Sequence, residues 1–415
     1  MRALTENSDS TTNAFIASRR LSRSDAVGIC TLILLASALL ALGLADGNIG
    51  LSEDSWYYRD VARHLAAGEG VVTENALQAR PVTRWPPGYP LLLAPGEIVG
   101  MGVESWAFAM NFVLLGILIG TVYALLRIAG LHWSNSAAGA LLVLFGNGLL
   151  VQFGMLLSEA LFLPLEVMFI GTLLLSRPPA AKRWIVVAAL LAAAASLTRF
   201  SGEGFILGGL GFFLFDRSAS PGCRIRSGVS FFLVAQVPVF SWLARNWILT
   251  GAISDLGFAP RIPEGDAFLN LWRVFTTFWL PEGLSRWFRH GLATLLLACA
   301  FLGNGVYMKH HDDQVLPLVR ASSWCILGYV SFLLWTYFSS RSLPHLDLRM
   351  MLPVLIPMAL ILVTAGRSLE PALRRFAALL IVVLLLVGAV RVLLAIDAMR
   401  SVGPYSAWLH HGAAP

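Results

Sequence analysis

Apolar runs close to the length needed to cross a bilayer, about 20 residues, recur along the whole chain and narrow its possible folds more than any other feature. They fall near 26–45, 104–126, 134–152, 155–176, 184–198, 203–216, 228–248, 290–308, 321–339, 350–366 and 376–396, the fifth and sixth being short. Composition agrees: 57% of the 415 residues are hydrophobic and 13% charged, against about a quarter charged in a soluble domain. Too few polar groups remain to cover a water-facing surface, so lipid is the solvent. The expected class is an all-α polytopic membrane protein of about eleven transmembrane helices. The first run also admits a signal-peptide reading, because Gly43-Leu44-Ala45 resembles a small-residue cleavage site; the topology downstream is the same either way.

Lys and Arg in short loops mark the cytoplasmic side. Arg19, Arg20 and Arg23 precede the first run, and alternation then places Arg127, Arg177, Lys182, Arg183, Arg217, Arg224, Arg226, Lys309, Arg367, Arg374 and Arg375 on that same side. The expected division is a cytoplasmic tail over 1–25, a transmembrane domain over 26–396, and a short extracytoplasmic tail over 397–415. The net charge of +6 is spread through these loops, a pattern suited to membrane lipids and not to nucleic acid, which needs a basic stripe. Cys30, Cys223, Cys299 and Cys325 have no metal-like spacing, and no disulfide framework is expected.

Two segments are too long for turns, 46–103 and 249–289, and both fall outside. Each contains an amphipathic stretch of the kind that lies in the membrane interface. In the first, Ser52 caps a helix with Trp56, Tyr57, Val61 and Leu65 on one face, stopped by Gly68 and Gly70. In the second, Phe268, Leu271, Trp272, Phe275 and Trp279 share a face. No soluble domain and no internal repeat is visible.

Ionisable residues inside a span are costly and point to function by default. Glu159 lies about one turn into the fourth run, with Glu166 seven residues deeper on the same face; Arg199 and Glu203 sit where the fifth run meets the sixth; Arg245 and Asn246 end the seventh; Asp347 and Arg349 open the tenth. All but Glu166 fall at the outer ends of their helices, as do Glu53 and Asp54 after the first run. Each has a plainer reading. Glu53 and Asp54 also suit a helix dipole, Arg199 and Glu203 an i,i+4 pair, Arg245 a snorkelling anchor, and Glu159 an interhelical hydrogen bond. Lys309-His310-His311-Asp312-Asp313 looks like a metal site but falls on the cytoplasmic side, as a solvated loop.

The first outer segment carries recognisable text: Asp54-Ser55-Trp56-Tyr57-Tyr58, Ala62-Arg63-His64-Leu65, Gly68-Glu69-Gly70, then Trp85-Pro86-Pro87-Gly88-Tyr89-Pro90. It resembles the polytopic GT-C glycosyltransferases, in the branch related to protein O-mannosyltransferases and lipid A aminoarabinose transferases. The similarity continues in order through Ser158-Glu159-Ala160-Leu161-Phe162, Thr198-Arg199-Phe200, Arg245-Asn246 with Thr250-Gly251, and Asp347-Leu348-Arg349 with Pro353. Unlike the longer members, this sequence shows no soluble C-terminal domain, which leaves acceptor recognition to the membrane loops.

The resemblance implies a GT-C fold and transfer of a sugar from a polyprenyl-phosphate donor to a lipid, glycan or protein acceptor on the extracytoplasmic face of the inner (plasma) membrane, with inversion. The family's catalytic aspartate maps onto Asp54, with Glu53 its neighbour. Arg245, Arg349 and Arg199 are at the depth of a lipid phosphate, which an arginine fork suits. Glu159 is placed to bind sugar hydroxyls or orient an arginine, and Tyr58, Tyr89 and Asn246 complete the expected substrate-binding set. Some relatives bind a divalent metal; no clear ligand set appears here, and no cofactor is assigned. Two other readings keep charges in a membrane cavity: a transporter or flippase of lipid-linked sugars, and a polyprenyl-diphosphate-dependent ligase or polymerase.

Overall fold

The computed structural model describes residues 21–75, 78–176, 181–216, 219–254, 267–280, 283–294, 297–298, 315–339, 347–365 and 371–412. After α1 (Arg23–Gly43), the first long connection folds as α2 (Glu53–Ala66), a hairpin of β1 (Val72–Asn75) and β2 (Gln78–Pro81), and α3 (Gly88–Ile98). There follow α4 (Val103–Ile128), α5 (Trp133–Leu144), α6 (Leu149–Phe153), α7 (Glu159–Leu175), α8 (Ala181–Thr198), a 3-10 turn (Phe200–Gly202), α9 (Glu203–Leu214), α10 (Pro221–Thr250), α11 (Ala267–Thr276), α12 (Leu316–Ser339), α13 (Leu348–Ala365) and α14 (Pro371–Gly412).

Six of these, α1, α4, α10, α12, α13 and most of α14, are long and apolar enough to cross a membrane. The protein is multi-pass, but eleven full-length spans are not what the described residues give. The run at 134–152 is two short helices, because Gly148 turns the chain at φ 77°, a left-handed conformation that side chains other than glycine rarely adopt. The run at 155–176 starts as a helix only at Glu159 and is 17 residues long. Most of 290–308 lies outside the described residues, as do 255–266 of the second long connection, 1–20 of the N-terminal tail and the 309–313 run. The tail expected from 397 continues α14 as helix, with a break at Gly403.

Two further expectations change. Among the described residues the regular structure is helical except for the hairpin, whose strands pair antiparallel with Val72 opposite Pro81 and Asn75 opposite Gln78, and a single bridge between Gly50 and Met155. Trp279 is not part of an interfacial face: it is 4% exposed in the main core, its indole N–H donates to the Leu142 carbonyl at 3.0 Å, and Arg391 of α14 donates to the neighbouring Thr277 carbonyl at 2.9 Å.

The bundle is closed by small residues. A Cβ on Gly328 of α12 would fall 2.2 Å from the Gly204 carbonyl oxygen and 2.4 Å from the Gly208 nitrogen of α9, so these glycines let the two helices touch backbone to backbone. Ion pairs mark one end of the bundle. Arg127, ending α4, donates to Asp25 at the start of α1 at 2.6 Å, and Arg320 near the start of α12 donates to Asp216 just past α9 at 2.8 Å. The charged cluster described next lies at the opposite helix ends. There α2 and α3 cover a small core of their own around Tyr58, Ala62, Tyr89, Leu93 and Leu156.

Candidate functional site

The chain before α2 is stitched to the chain before α7, a hundred residues away. Gly50 N–H donates to the Gly154 carbonyl and Leu156 N–H to the Gly50 carbonyl, both at 2.9 Å. Asn111 of α4 holds the same segment, donating to the carbonyls of Phe153 at 2.8 Å and Met155 at 3.0 Å. Ser55 completes the tie: its hydroxyl accepts from Ser52 N–H at 2.9 Å and donates to the Leu156 carbonyl at 2.7 Å. These bonds place the first turn of α2, with Asp54, against the first turn of α7, with Glu159.

Two arginines close the cluster. Arg349, in the first turn of α13, donates through Nε and Nη2 to Glu159, the latter at 3.2 Å, and through Nη1 to Asp54 Oδ2 at 2.7 Å. Arg199, at the end of α8, donates to the same Glu159 carboxylate and to Ser158 Oγ at 3.1 Å. Tyr58, one turn after Asp54, donates its phenol to Ser158 Oγ at 3.1 Å. Four elements far apart in sequence thus converge on one chain of charges, Asp54–Arg349–Glu159–Arg199. The two carboxylates differ in access. The Glu159 side chain is 1% exposed and that of Asp54 25%, so Glu159 is enclosed by guanidiniums while Asp54 still meets solvent.

Burial, and secondarily the Asp54 carboxylate, pushes the Tyr58 phenol up to about 12, so it remains a protonated donor at neutral pH. Tyr89 is fully buried, packs edge-on against Tyr58 with ring centroids 5.1 Å apart, and is pushed well above the usual tyrosine value by burial and by Tyr58. Its hydroxyl has no partner among the described residues. Asp347, just before α13, caps that helix by accepting from Met350 N–H at 2.8 Å; burial raises its carboxyl despite this bond. The Pro-Pro-Gly-Tyr block explains itself here: a Cβ on Gly88 would meet the Leu197 carbonyl oxygen at 2.6 Å. Only glycine lets α3 rest on the end of α8, two residues before Arg199.

Of the residues expected from sequence, Asp54, Glu159, Arg199, Arg349 and Tyr58 are brought together, with Tyr89 packed behind Tyr58. Glu53 is exposed and without a hydrogen-bond partner among the described residues. The i,i+4 pair of Arg199 and Glu203 does not form: the 3-10 turn between them interrupts the helical register, and Glu203 accepts from Gln236 at 2.6 Å. Glu166 is buried two turns below Glu159, with both oxygens unpartnered among the described residues. Arg245 lies outside the cluster's hydrogen bonds. It donates to the carbonyls of Val71 and Val82 at 2.8 Å each, and to Asn246 Oδ1 at 2.9 Å. Asn246 is buried and donates to the Ile253 carbonyl at 3.0 Å. Ser158 belongs to the site although sequence reasoning gave it no role; its place directly before Glu159 was the available signal. Among the described residues no group of three or more His, Cys, Asp or Glu side chains is disposed to hold a metal ion.

No protein-family model matches the chain, and no curated protein matches it. Solved structures do. ArnT from Cupriavidus metallidurans bound to undecaprenyl phosphate superimposes with a TM-score of 0.57 at 18% identity, over 83% of this chain and 61% of that one. The same protein in the apo state gives 0.56 at 17% identity, over 84% and 61%. The chain therefore shares the fold of ArnT, the GT-C fold expected from the sequence, and it spans about 61% of the length of these ArnT chains.

Proposed function

We propose that this chain transfers a sugar from a polyprenyl-phosphate donor to an acceptor hydroxyl on a lipid, glycan or protein, with inversion. The observation that carries the reading is the convergence of Asp54, Arg349, Glu159 and Arg199 from four separate elements into one buried chain of charges with a single carboxylate left accessible. Burying such groups costs several kcal/mol per ion unless they are paired, and here the pairing leaves Asp54, at the edge of the cluster, with access to solvent. In this reading Asp54 accepts the proton of the acceptor hydroxyl as that oxygen bonds to the anomeric carbon. The bond from the anomeric carbon to the phosphate oxygen breaks, and its electron pair leaves with the polyprenyl phosphate. Arg349 and Arg199 receive the phosphate, their forked donors matching its oxygens, and Glu159 holds both guanidiniums in place. Arg245 is given no part in this step, because it hydrogen-bonds no member of the cluster and donates instead to the carbonyls of Val71 and Val82. The undecaprenyl phosphate bound to ArnT, a protein of the same fold, supports a lipid phosphate as the leaving group.

The reading places the cluster on the extracytoplasmic side, because Arg127 and Arg320 lie at the other helix ends and basic residues favour the cytoplasm. A cysteine at the exposed position Glu74, in a cysteine-free background, is expected to react with a membrane-impermeant reagent in intact cells; labelling only after permeabilisation would reverse the orientation. The function itself is tested by incubating purified protein with a panel of polyprenyl-phosphate sugars and following release of polyprenyl phosphate. Turnover with one donor is expected. Transbilayer movement of donors without glycosidic bond cleavage would make the chain a transporter instead.

A further inference from the structure

The hairpin is held from two sides by side chains outside the charged cluster. From α2, Asp60 accepts from the Thr73 hydroxyl at 2.6 Å and from Glu74 N–H at 2.9 Å, fixing β1. From the end of α10, Arg245 donates to the carbonyls of Val71 and Val82, the residues that flank the two strands. Those two residues are joined to each other, Val82 N–H donating to the Val71 carbonyl at 3.1 Å, so one guanidinium closes the base of the hairpin. The guanidinium is itself fixed: it lies 4.7 Å from the centroid of the Trp242 ring and donates to Asn246, which anchors the chain past α10. Arg245 therefore ties the first long connection to the second.

What the hairpin base borders gives this tie a consequence. Val71 and Val82 form one wall of a narrow crevice whose other walls include Tyr57, Tyr58, Trp85 and Pro86. Tyr57 and Trp85 pack at 4.4 Å between ring centroids, and Tyr57 keeps 39% exposure. Tyr58 is the floor that leads to the cluster through Ser158. Along α2, Asp54, Tyr57, Tyr58 and Val61 share a face by their i, i+3, i+4 and i+7 spacing, so the crevice walls stand on the same side of the helix as the accessible carboxylate.

We propose that Arg245 is a positioning residue: by closing the base of the hairpin it sets the crevice wall of Val71 and Val82 against which Tyr57 and Tyr58 pack one turn after Asp54, so that an acceptor approaching Asp54 meets a fixed surface, and it does not contact the donor phosphate. This rests on the proposed transferase function, and the experiment separates the two. Hydrogen exchange of the peptide covering 71–82 is measured in full-length wild type, Arg245→Lys, Arg245→Gln and Asp60→Asn, alongside donor affinity and the KM for acceptor. Asp60→Asn loosens the hairpin from the α2 side, out of reach of any phosphate contact by Arg245. Losing one of two charge-assisted bonds in Arg245→Lys, or leaving both bonds to Asp60 Oδ2 with an uncharged amide oxygen in Asp60→Asn, is expected to speed exchange of this peptide about 10-fold, with acceptor KM rising by a similar factor and donor affinity unchanged. Arg245→Gln, which loses both bonds, goes further in the same direction. Donor affinity falling in the Arg245 variants while exchange stays at the wild-type rate would overturn the proposal, as would unchanged exchange and kinetics. If wild type transfers no sugar at all, the transferase reading fails; the exchange data then still decide whether Arg245 holds the hairpin.

Discussion

Glu159→Gln isolates the electrostatics of the cluster. The substitution keeps the shape of the side chain and removes one charge at a position 1% exposed. Arg349 and Arg199, with side chains 13% and 18% exposed, then face each other with no carboxylate between them, and the amide nitrogen adds a donor where only acceptors fit. Asp54 still pairs with Arg349, and the amide oxygen in the place of Oε1 still accepts from both arginines, but it carries no charge to offset theirs. Removing one partner of a buried pair costs about 3–5 kcal/mol, and the residual exposure of both arginines favours the lower end. The assay is reversible unfolding of the purified protein in mixed detergent micelles, wild type against variant. Because both arginines have lost their shared counter-charge, added polyprenyl phosphate should stabilise the variant more than the wild type. A loss below about 1 kcal/mol, the range of an exposed ion pair, would refute the account of Glu159 as the enclosed centre of the cluster.

Two further outcomes follow from the same geometry. Arg349→Ala should weaken donor binding by the equivalent of about 1.5–3 kcal/mol, and Arg349→Lys should restore only part of it, since an ammonium is a point charge without a fork; donor titration checks both. Gly88→Ala should cost about 1–3 kcal/mol and lower turnover, because the new methyl group pushes α3 off the end of α8 and shifts Arg199; the stability assay and turnover of the same preparation test this, and a silent substitution would mean that α3 does not rest on α8 as described.

Much of this architecture is legible in the sequence because it depends on local signals. Apolar runs gave the long helices, and Ser52 marked the start of α2, whose first turn presents Asp54. Ionisable groups at helix ends pointed to Glu159, Arg199 and Arg349, since a buried charge in an apolar run demands a partner. What pairs with what was not legible. Arg199 and Glu203 have the spacing of a helical pair, and only the 3-10 turn between them, set by packing, sends Arg199 to Glu159. The bonds between Gly50 and the 154–156 segment use backbone atoms, which leave no residue signature. The hairpin escaped notice because Glu74-Asn75 and Gln78-Ala79-Arg80 lack the β-branched alternation of a buried strand. Arg245 looked like a phosphate ligand by depth; its carbonyl partners lie more than 160 residues away in the chain.

The central claim is that Asp54 serves as the base of a sugar transfer, and the most direct measurement is single-turnover product formation with bound donor and saturating acceptor. Asparagine at position 54 still fits the first turn of α2 and still accepts from Arg349, so Asp54→Asn should insert and bind donor normally. It cannot take a proton, and the rate of transfer is expected to fall about 100-fold or more, while Glu53→Gln, at an exposed position without a partner among the described residues, stays near wild type. Transfer by Asp54→Asn at the wild-type rate, or a larger loss in Glu53→Gln, would contradict the account.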